Sequence, residues 1–162
     1  MPDQDIARRA EAVLALCRAK GLTVATAESC TGGLVAGALT DIAGSSDVLE
    51  RGFVTYSNAA KCSMLGVPAA LIEAHGAVSE PVARAMAEGA LWHSPAALAV
   101  AVTGIAGPGG GTDTKPVGLV HLAAAVRDAP VSHERLLLGD IGRGEIRRES
   151  VRRALALLAS LV

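Results

Sequence analysis

The sequence is poor in aromatic residues. Phe, Trp and Tyr make up only 2% of its 162 residues, with one residue of each type. Proteins that bind single-stranded nucleic acid stack bases on aromatic side chains and follow the backbone with a basic groove. A formal net charge of −1 offers no such basic surface. The two absences together argue against nucleic acid as a partner.

Long apolar runs and paired cysteines are also absent. Hydrophobic residues form 51% of the chain, yet no apolar run approaches the ~20 residues that a helix needs to cross a bilayer. The polar N-terminal segment does not resemble a secretory leader. The three cysteines (Cys17, Cys30 and Cys62) show neither a CxxC motif nor the Cys/His spacing of a metal site. We therefore expect a cytoplasmic protein that has reduced thiols, no metal and no membrane contact.

Lysine is scarce, because only three of the 15 basic residues are lysine. Where arginine is the usual cation, a lysine can be present because its amine is able to lose a proton. The main basic cluster lies near the end of the sequence and alternates with Glu145 and Glu149. Its helical spacing predicts a solvated helix face with ion pairs. The members of this cluster are Arg143, Arg147, Arg148, Arg152 and Arg153.

Strand-like segments alternate with helix-like segments along the chain. Such alternation is typical of an α/β fold, and 162 residues suffice for one domain with a full core. We predict a single domain over 1–162, built as a three-layer α/β/α sandwich with a mostly parallel mixed sheet and a hairpin near the end. The predicted strands are 22–26, 52–56, 97–103, 117–126 and 132–138. The predicted helices are 4–20, 31–42, 59–65, 68–74, 79–92 and 143–161.

Two strand-to-loop transitions, 26–33 and 102–111, concentrate small and polar residues. Ligands of open α/β sheets bind at the carboxyl ends of strands, so the two loops are candidates for opposite walls of one cavity. The first is a tight turn into a helix, and such turns aim backbone N–H groups at an anion or oxyanion. The second has four glycines among residues 107–111. Neither loop matches a Walker or dinucleotide-binding fingerprint, which disfavours ATP hydrolysis and hydride transfer.

The first loop offers two candidate nucleophiles, Ser29 and Cys30. Cys30 would need a histidine, and none of the four histidines carries a local signature; a small buried cysteine is more often inert packing. Ser29 lacks the GxSxG elbow of α/β-hydrolases. Lys61 could serve as its base if burial lowered the lysine pKa from ~10.4, with Tyr56 as a proton relay. From spacing alone, an exposed Lys61 and a packed Tyr56 remain the alternative.

Five segments in order resemble the CinA C-terminal domain family, whose enzyme members are nicotinamide-nucleotide amidohydrolases. The resemblance covers nearly the whole chain. The segments are AESCTGG (27–33), VTYSNAAK (54–61), HGAVSE (75–80), TGIAGPGG (103–110) and KPVG (115–118).

The resemblance implies hydrolysis of the carboxamide of nicotinamide mononucleotide, a small nucleotide substrate, without a metal or cofactor. It implies a homodimer with the same three-layer fold. Ser29 resembles the nucleophile, Lys61 its general base and Tyr56 the third catalytic partner, while backbone N–H groups at 31–33 would hold the oxyanion. The further residues expected to contact the substrate are Thr31, Gly32, Gly33, Asn58, Thr103, Gly104, Ala106, Gly107 and Arg143.

Two departures from the family pattern bear on these expectations. Many members carry a preceding domain that resembles molybdopterin-binding proteins and is associated with pyrophosphatase activity; this sequence begins at the amidohydrolase-like domain, so we expect that activity to be absent. Two residues separate Asp140 from Arg143, where the family has Gly-Asp-Arg. The spacing from Arg143 to Arg147 is preserved, so Arg143 remains a candidate ligand contact.

Two other functions stay open. One is a catalytically silent binding or regulatory module, since the family name comes from competence and DNA damage. The other is a thiol-dependent enzyme that uses Cys30. The presence of Ser29, Tyr56 and Lys61 together favours a serine amidohydrolase, because a silent relative would be expected to have lost one of them.

Overall fold

The computed structural model describes residues 3–162, which form five β-strands, six α-helices and a short 3-10 helix at Ser45–Asp47. The strands are β1 (Val24–Glu28), β2 (Leu49–Val54), β3 (Leu98–Gly104), β4 (Leu119–Val126) and β5 (Ser132–Leu137). The helices are α1 (Gln4–Lys20), α2 (Leu34–Thr40), α3 (Asn58–Leu65), α4 (Ala69–His75), α5 (Glu80–Trp92) and α6 (Arg143–Ser160).

The five strands form one mixed sheet in the order β2-β1-β3-β4-β5. The strand β1 pairs in parallel with both β2 and β3, whereas β4 is antiparallel to β3 and to β5. The strand β4 thus runs against the other four, which confirms the expected mostly parallel mixed sheet. The predicted hairpin joins β4 to β5, with Asp128 in the left-handed region (φ 63°) of its turn.

Helices cover both faces of the sheet, which confirms the three-layer sandwich. Side chains that alternate along each strand divide the core into two clusters. Val24 and Leu98 face the cluster that contains α1, α2 and α6. Ala25 and Ala99 face the cluster that contains α5, and most of the strand residues on that face are alanines. Their small side chains allow α5 to pack close to the sheet.

Local signals define most helix ends as the sequence indicates. Gly21 ends α1 in the left-handed conformation (φ 64°), and Ser79 caps α5 with Pro81 in its first turn. The helix α2 begins at Leu34, three residues later than predicted, because Gly32 and Gly33 have positive φ and belong to the preceding turn. The strand β1 extends to Glu28, two residues beyond the predicted end, since its ladder with β3 continues that far.

The parallel arrangement brings three chain reversals to one edge of the sheet. The segments that follow β2, β1 and β3 all leave the carboxyl ends of adjacent strands. The Ser29 turn therefore lies between the segment that leads into α3 and the glycine-rich loop. None of the helices within residues 3–162 combines the length and apolar character that a membrane span requires.

Candidate active site

A cavity of about 290 Å³ opens at this edge of the sheet, and all three segments line it. The segment after β1 contributes Ser29 and Cys30, and the loop after β3 contributes its glycine-rich part. The prediction that the two loops form walls of one cavity is confirmed. The lining residues are Ser29, Cys30, Tyr56, Asn58, Lys61, Ala77, Val78, Thr103, Gly104, Ile105, Ala106, Gly107, Gly109, Gly110 and Arg143.

Ser29 and Lys61 form a hydrogen-bonded pair at the base of this cavity. The Lys61 Nζ atom lies 3.0 Å from Ser29 Oγ and 3.0 Å from the carbonyl oxygen of Thr55. The Ser29 backbone N–H donates to Val102 O at 2.9 Å, which continues the β1–β3 ladder and fixes the start of the turn. Lys61 lies in the first turns of α3, whose N-cap Ser57 accepts from the Ala60 N–H. The pairing suggested by the sequence is present in the structure.

The surroundings of Lys61 disfavour its charged form. Its side chain is 1% exposed, and burial lowers the pKa of its amine below the ordinary 10.5, with smaller opposing effects from Cys30 and Cys62. Its two hydrogen-bond partners are a hydroxyl and a carbonyl, neither of which is charged. A neutral Lys61 can donate to Thr55 O and accept the Ser29 hydroxyl proton at the same time. This arrangement is suited to a general base.

Cys30 lines the same cavity but has the opposite character. Its side chain is 6% exposed, and burial raises the pKa of the thiol to about 11. Within residues 3–162 no histidine bonds to it, and His121 and His133 bond to each other, with an Nδ1–Nε2 distance of 2.8 Å and stacked rings. Because the thiolate is the reactive form, Cys30 is a poor nucleophile at neutral pH.

Tyr56 and Arg143 form the rim of the cavity. One Arg143 nitrogen donates to the Tyr56 hydroxyl at 3.0 Å, and another donates to Gly107 O at 2.7 Å. Arg143 therefore lines the cavity despite the two residues inserted before it. Tyr56 is 62% exposed and has no hydrogen bond to Ser29 or Lys61 in the described chain, so its role as third catalytic partner stays a prediction.

Thr31, Gly32 and Gly33 are not among the residues that line the cavity. The Thr31 hydroxyl donates to Glu28 at 2.7 Å, and the Gly32 N–H donates to Ser29 O at 3.0 Å. Gly33 lines a separate groove between α1 and α2. The tight turn thus uses the Gly32 N–H internally, and the expectation that N–H groups at 31–33 hold an oxyanion stays a prediction. Asn58, Thr103, Gly104, Ala106 and Gly107 do line the cavity, as the sequence suggested.

The glycine-rich loop contributes residues to the cavity wall whose backbone donors are unused. In the part of the chain that the structure describes, the backbone N–H groups of Ala106, Gly107, Gly109 and Gly110 donate to no other group. Backbone N–H groups gathered in this way bind phosphate or an oxyanion. Sequence reasoning included only the first two of these residues, although the unusual glycine content pointed to the whole loop.

Three more residues support the site and were not predicted from the sequence. The Thr55 carbonyl orients Lys61, the Glu28 carboxylate binds the Ser29 turn, and Arg147 donates to Cys30 O and Thr31 O at 3.1 and 3.3 Å. No group of three His, Cys, Asp or Glu side chains that could hold a metal ion occurs among residues 3–162.

Comparison with known proteins identifies relatives over the whole chain. The family described as CinA C-terminal domain matches residues 6–162. A CinA-like protein of Anaeromyxobacter dehalogenans is 56% identical over 146 residues, which is 90% of this chain and 35% of that protein. The chain thus spans about a third of the length of such curated relatives.

Solved structures agree with this assignment. The crystal structure of the competence/damage inducible protein CihA from Agrobacterium tumefaciens is 56% identical, with a TM-score of 0.96 over 99% of this chain and 97% of that one. A competence-damaged protein (CinA) superfamily protein from Escherichia coli is 34% identical, with a TM-score of 0.93 over 100% and 94% of the two chains. From sequence, fold and site together, the chain belongs to the CinA C-terminal domain family.

Proposed function

We propose that this protein hydrolyses the carboxamide of nicotinamide mononucleotide to nicotinate mononucleotide and ammonia. The observation that carries the proposal is the buried 3.0 Å contact between Ser29 Oγ and Lys61 Nζ. The resemblance of the surrounding motifs to nicotinamide-nucleotide amidohydrolases supplies the substrate. The cavity above this contact supports the same assignment, because it contains unused N–H donors and an arginine.

The chemistry follows from the two side chains. Neutral Lys61 takes the proton of Ser29 as Oγ bonds to the amide carbon, and the carbonyl π electrons move to the oxygen. When the oxyanion collapses, the C–N bond breaks and the Lys61 ammonium gives its proton to the departing amine, so that ammonia leaves. Water then attacks the Ser29 ester, with Lys61 again as base, and releases the carboxylic acid. The hydrogen bond to the Thr55 carbonyl holds Lys61 Nζ beside Ser29 Oγ during all of these steps.

The rest of the cavity suits the nucleotide part of the substrate. The unused N–H groups of the loop at 106–110 and the Arg143 guanidinium provide donors for a phosphate. Arg143 uses two of its nitrogens in bonds to Tyr56 and Gly107, which fixes its plane at the rim and leaves other N–H groups free to bind. The exposed ring of Tyr56 offers a flat surface beside this arginine.

The test is ammonia release from nicotinamide mononucleotide by the wild type, Ser29→Ala and Lys61→Met. Methionine keeps the buried volume of Lys61, and Lys20→Met at the exposed end of α1 is a matched lysine control. We expect a loss of at least ~100-fold in both site variants, as for removal of a general base, and none in the control. Activity that survives in Ser29→Ala contradicts the serine mechanism. A wild type that binds the nucleotide without releasing ammonia is a binding module instead.

A further inference from the structure

Glu28, the last residue of β1, is a fully buried acid directly before the proposed nucleophile. Its side chain is 0% exposed, and no Lys, Arg or His forms an ion pair with it within residues 3–162. It accepts three hydrogen bonds instead: from Thr31 Oγ1 at 2.7 Å, from the Val35 N–H at 2.8 Å and from the Ala36 N–H at 3.1 Å. A carboxylate is costly to bury unless its oxygens are satisfied in this way.

The bonds to Val35 and Ala36 make Glu28 the cap of α2. The N-cap residue of this helix is Gly33, which has no side chain to accept from the first turn. Glu28 supplies the missing acceptor from the adjacent strand, and its charge suits the positive end of the helix. The end of β1 and the start of α2 are thereby joined through one side chain, with the Ser29–Gly33 turn between them.

The same turn is held from the opposite side by α6. Arg147 donates to Cys30 O and Thr31 O, while the Gly32 N–H closes the turn onto Ser29 O. Glu28 thus accepts hydrogen bonds from the turn and from the first N–H groups of α2. Arg147 instead donates hydrogen bonds to carbonyl groups of the turn. Glu28 itself does not line the cavity, so it has no contact with a substrate.

We propose that Glu28 is a positioning residue, which holds Ser29 Oγ at hydrogen-bond distance from Lys61 Nζ by fixing the turn to α2. This inference rests on the proposed Ser29 mechanism. It explains why an acid occupies the end of a buried strand: an apolar residue there would leave the Thr31 hydroxyl and two helix N–H groups without acceptors.

The test uses Glu28→Gln and Thr31→Val. The glutamine has the shape of glutamate but directs an NH₂ group at a backbone donor, whereas valine removes one of the three donors and keeps the shape of threonine. Two rates are measured: kcat and KM with nicotinamide mononucleotide, and the modification of Ser29 by phenylmethanesulfonyl fluoride, followed by mass spectrometry. We expect both kcat and the modification rate to fall by about 10- to 100-fold in Glu28→Gln, as for a nucleophile displaced by up to 1 Å, with KM unchanged. Thr31→Val should show a smaller fall.

Asp3→Ala is the control for the loss of a helix cap, because Asp3 accepts from the N–H groups of Asp5 and Ile6 and also pairs with Arg152, away from the cavity. It should lower the melting temperature and leave Ser29 reactivity unchanged. If Glu28→Gln and Thr31→Val lower the melting temperature but keep both rates, Glu28 is only structural and the proposal is overturned; if Glu28→Gln does not fold, Thr31→Val alone decides.

The two readouts separate this proposal from the proposed function. A wild type that is inactive on the nucleotide while Ser29 modification still depends on Glu28 refutes the proposed substrate and keeps the positioning role. A wild-type Ser29 that neither turns over the nucleotide nor reacts with the sulfonyl fluoride overturns both.

Discussion

The contact between α5 and α3 makes Gly89→Ala a severe test of how the site is assembled. A Cβ atom at residue 89 would lie 2.1 Å from the carbonyl oxygen of Leu65, 2.9 Å from its carbonyl carbon and 3.0 Å from its Cβ. Ordinary carbon–oxygen contacts are about 3.3–3.6 Å. The atoms in the way belong mainly to the backbone of α3, so a side-chain rotation cannot relieve the clash, and the helices must separate by about 1 Å.

The expected cost follows from two opposing effects. Overpacking of this kind costs about 1–3 kcal/mol and at times more, while alanine gains up to ~1 kcal/mol over glycine in helix propensity. We expect a net loss of about 2 kcal/mol, which lowers the melting temperature by roughly 4–8 °C in a domain of this size. Lys61 lies on α3 with Leu65. A 1 Å shift of that helix should therefore also reduce kcat by as much as ~100-fold.

Urea unfolding followed by circular dichroism measures the first effect, and ammonia release well below the melting temperature measures the second. Gly37→Ala in α2 is the matched control, because a Cβ there meets no atom within 4 Å and the φ angle is not positive. It should stabilise the protein by about 0.4–1 kcal/mol. A Gly89→Ala protein that is as stable as this control contradicts the predicted clash, and one that is destabilised by about 2 kcal/mol with unchanged kcat contradicts the predicted shift of Lys61.

Three further predictions concern single side chains. Because burial lowers the pKa of Lys61 and its neutral form is the proposed base, kcat/KM should rise with pH and reach half its limit below pH 10.5. A midpoint at or above that value contradicts the proposed mechanism. With a thiol pKa of about 11, Cys30 should resist iodoacetamide at pH 8 by mass spectrometry, and Cys30→Ala should keep most of the activity. Burial, with a smaller effect of His133, lowers the pKa of His121 from 6.5 to about 4. Between pH 6.5 and 4 the unfolded state therefore binds more protons than the folded state. The free energy of unfolding should fall by up to about 3 kcal/mol as the pH drops through this range. In His121→Gln, urea titrations at different pH values should no longer show this part of the fall.

Much of the architecture follows from patterns that are local in the sequence. Periodicity and turn residues predicted the six α-helices and five strands in order, and the rule that ligands bind at carboxyl strand ends predicted the shared cavity of the two loops. The prediction was wrong for β2, which spans Leu49–Val54 rather than 52–56, and it missed the 3-10 helix at Ser45–Asp47. The charge spacing of α6 predicted ion pairs, and Arg148 and Arg152 do pair with Glu145. These features succeed because short-range chemistry decides them.

The supporting contacts of the site depend on long-range geometry and could not be predicted in the same way. Every residue has a carbonyl group, so nothing in the sequence distinguishes that of Thr55 as the partner of Lys61. The role of Glu28 depends on where α2 begins, and the sequence placed that start three residues too early. Arg147 belongs to the same charged helix as Arg148, and only the packing of α6 against the Ser29 turn directs it to the site.

The bond between Arg147 and Cys30 O joins residues 117 positions apart in the chain. During synthesis, which adds about 5–20 residues per second, the Ser29 turn and Lys61 leave the ribosome long before α6. Until α6 packs against the turn, the carbonyl groups of Cys30 and Thr31 lack the arginine that fixes them. A nascent chain would therefore hold its serine and lysine loosely for several seconds, and the proposed amidohydrolase activity would develop only as the final helix docks.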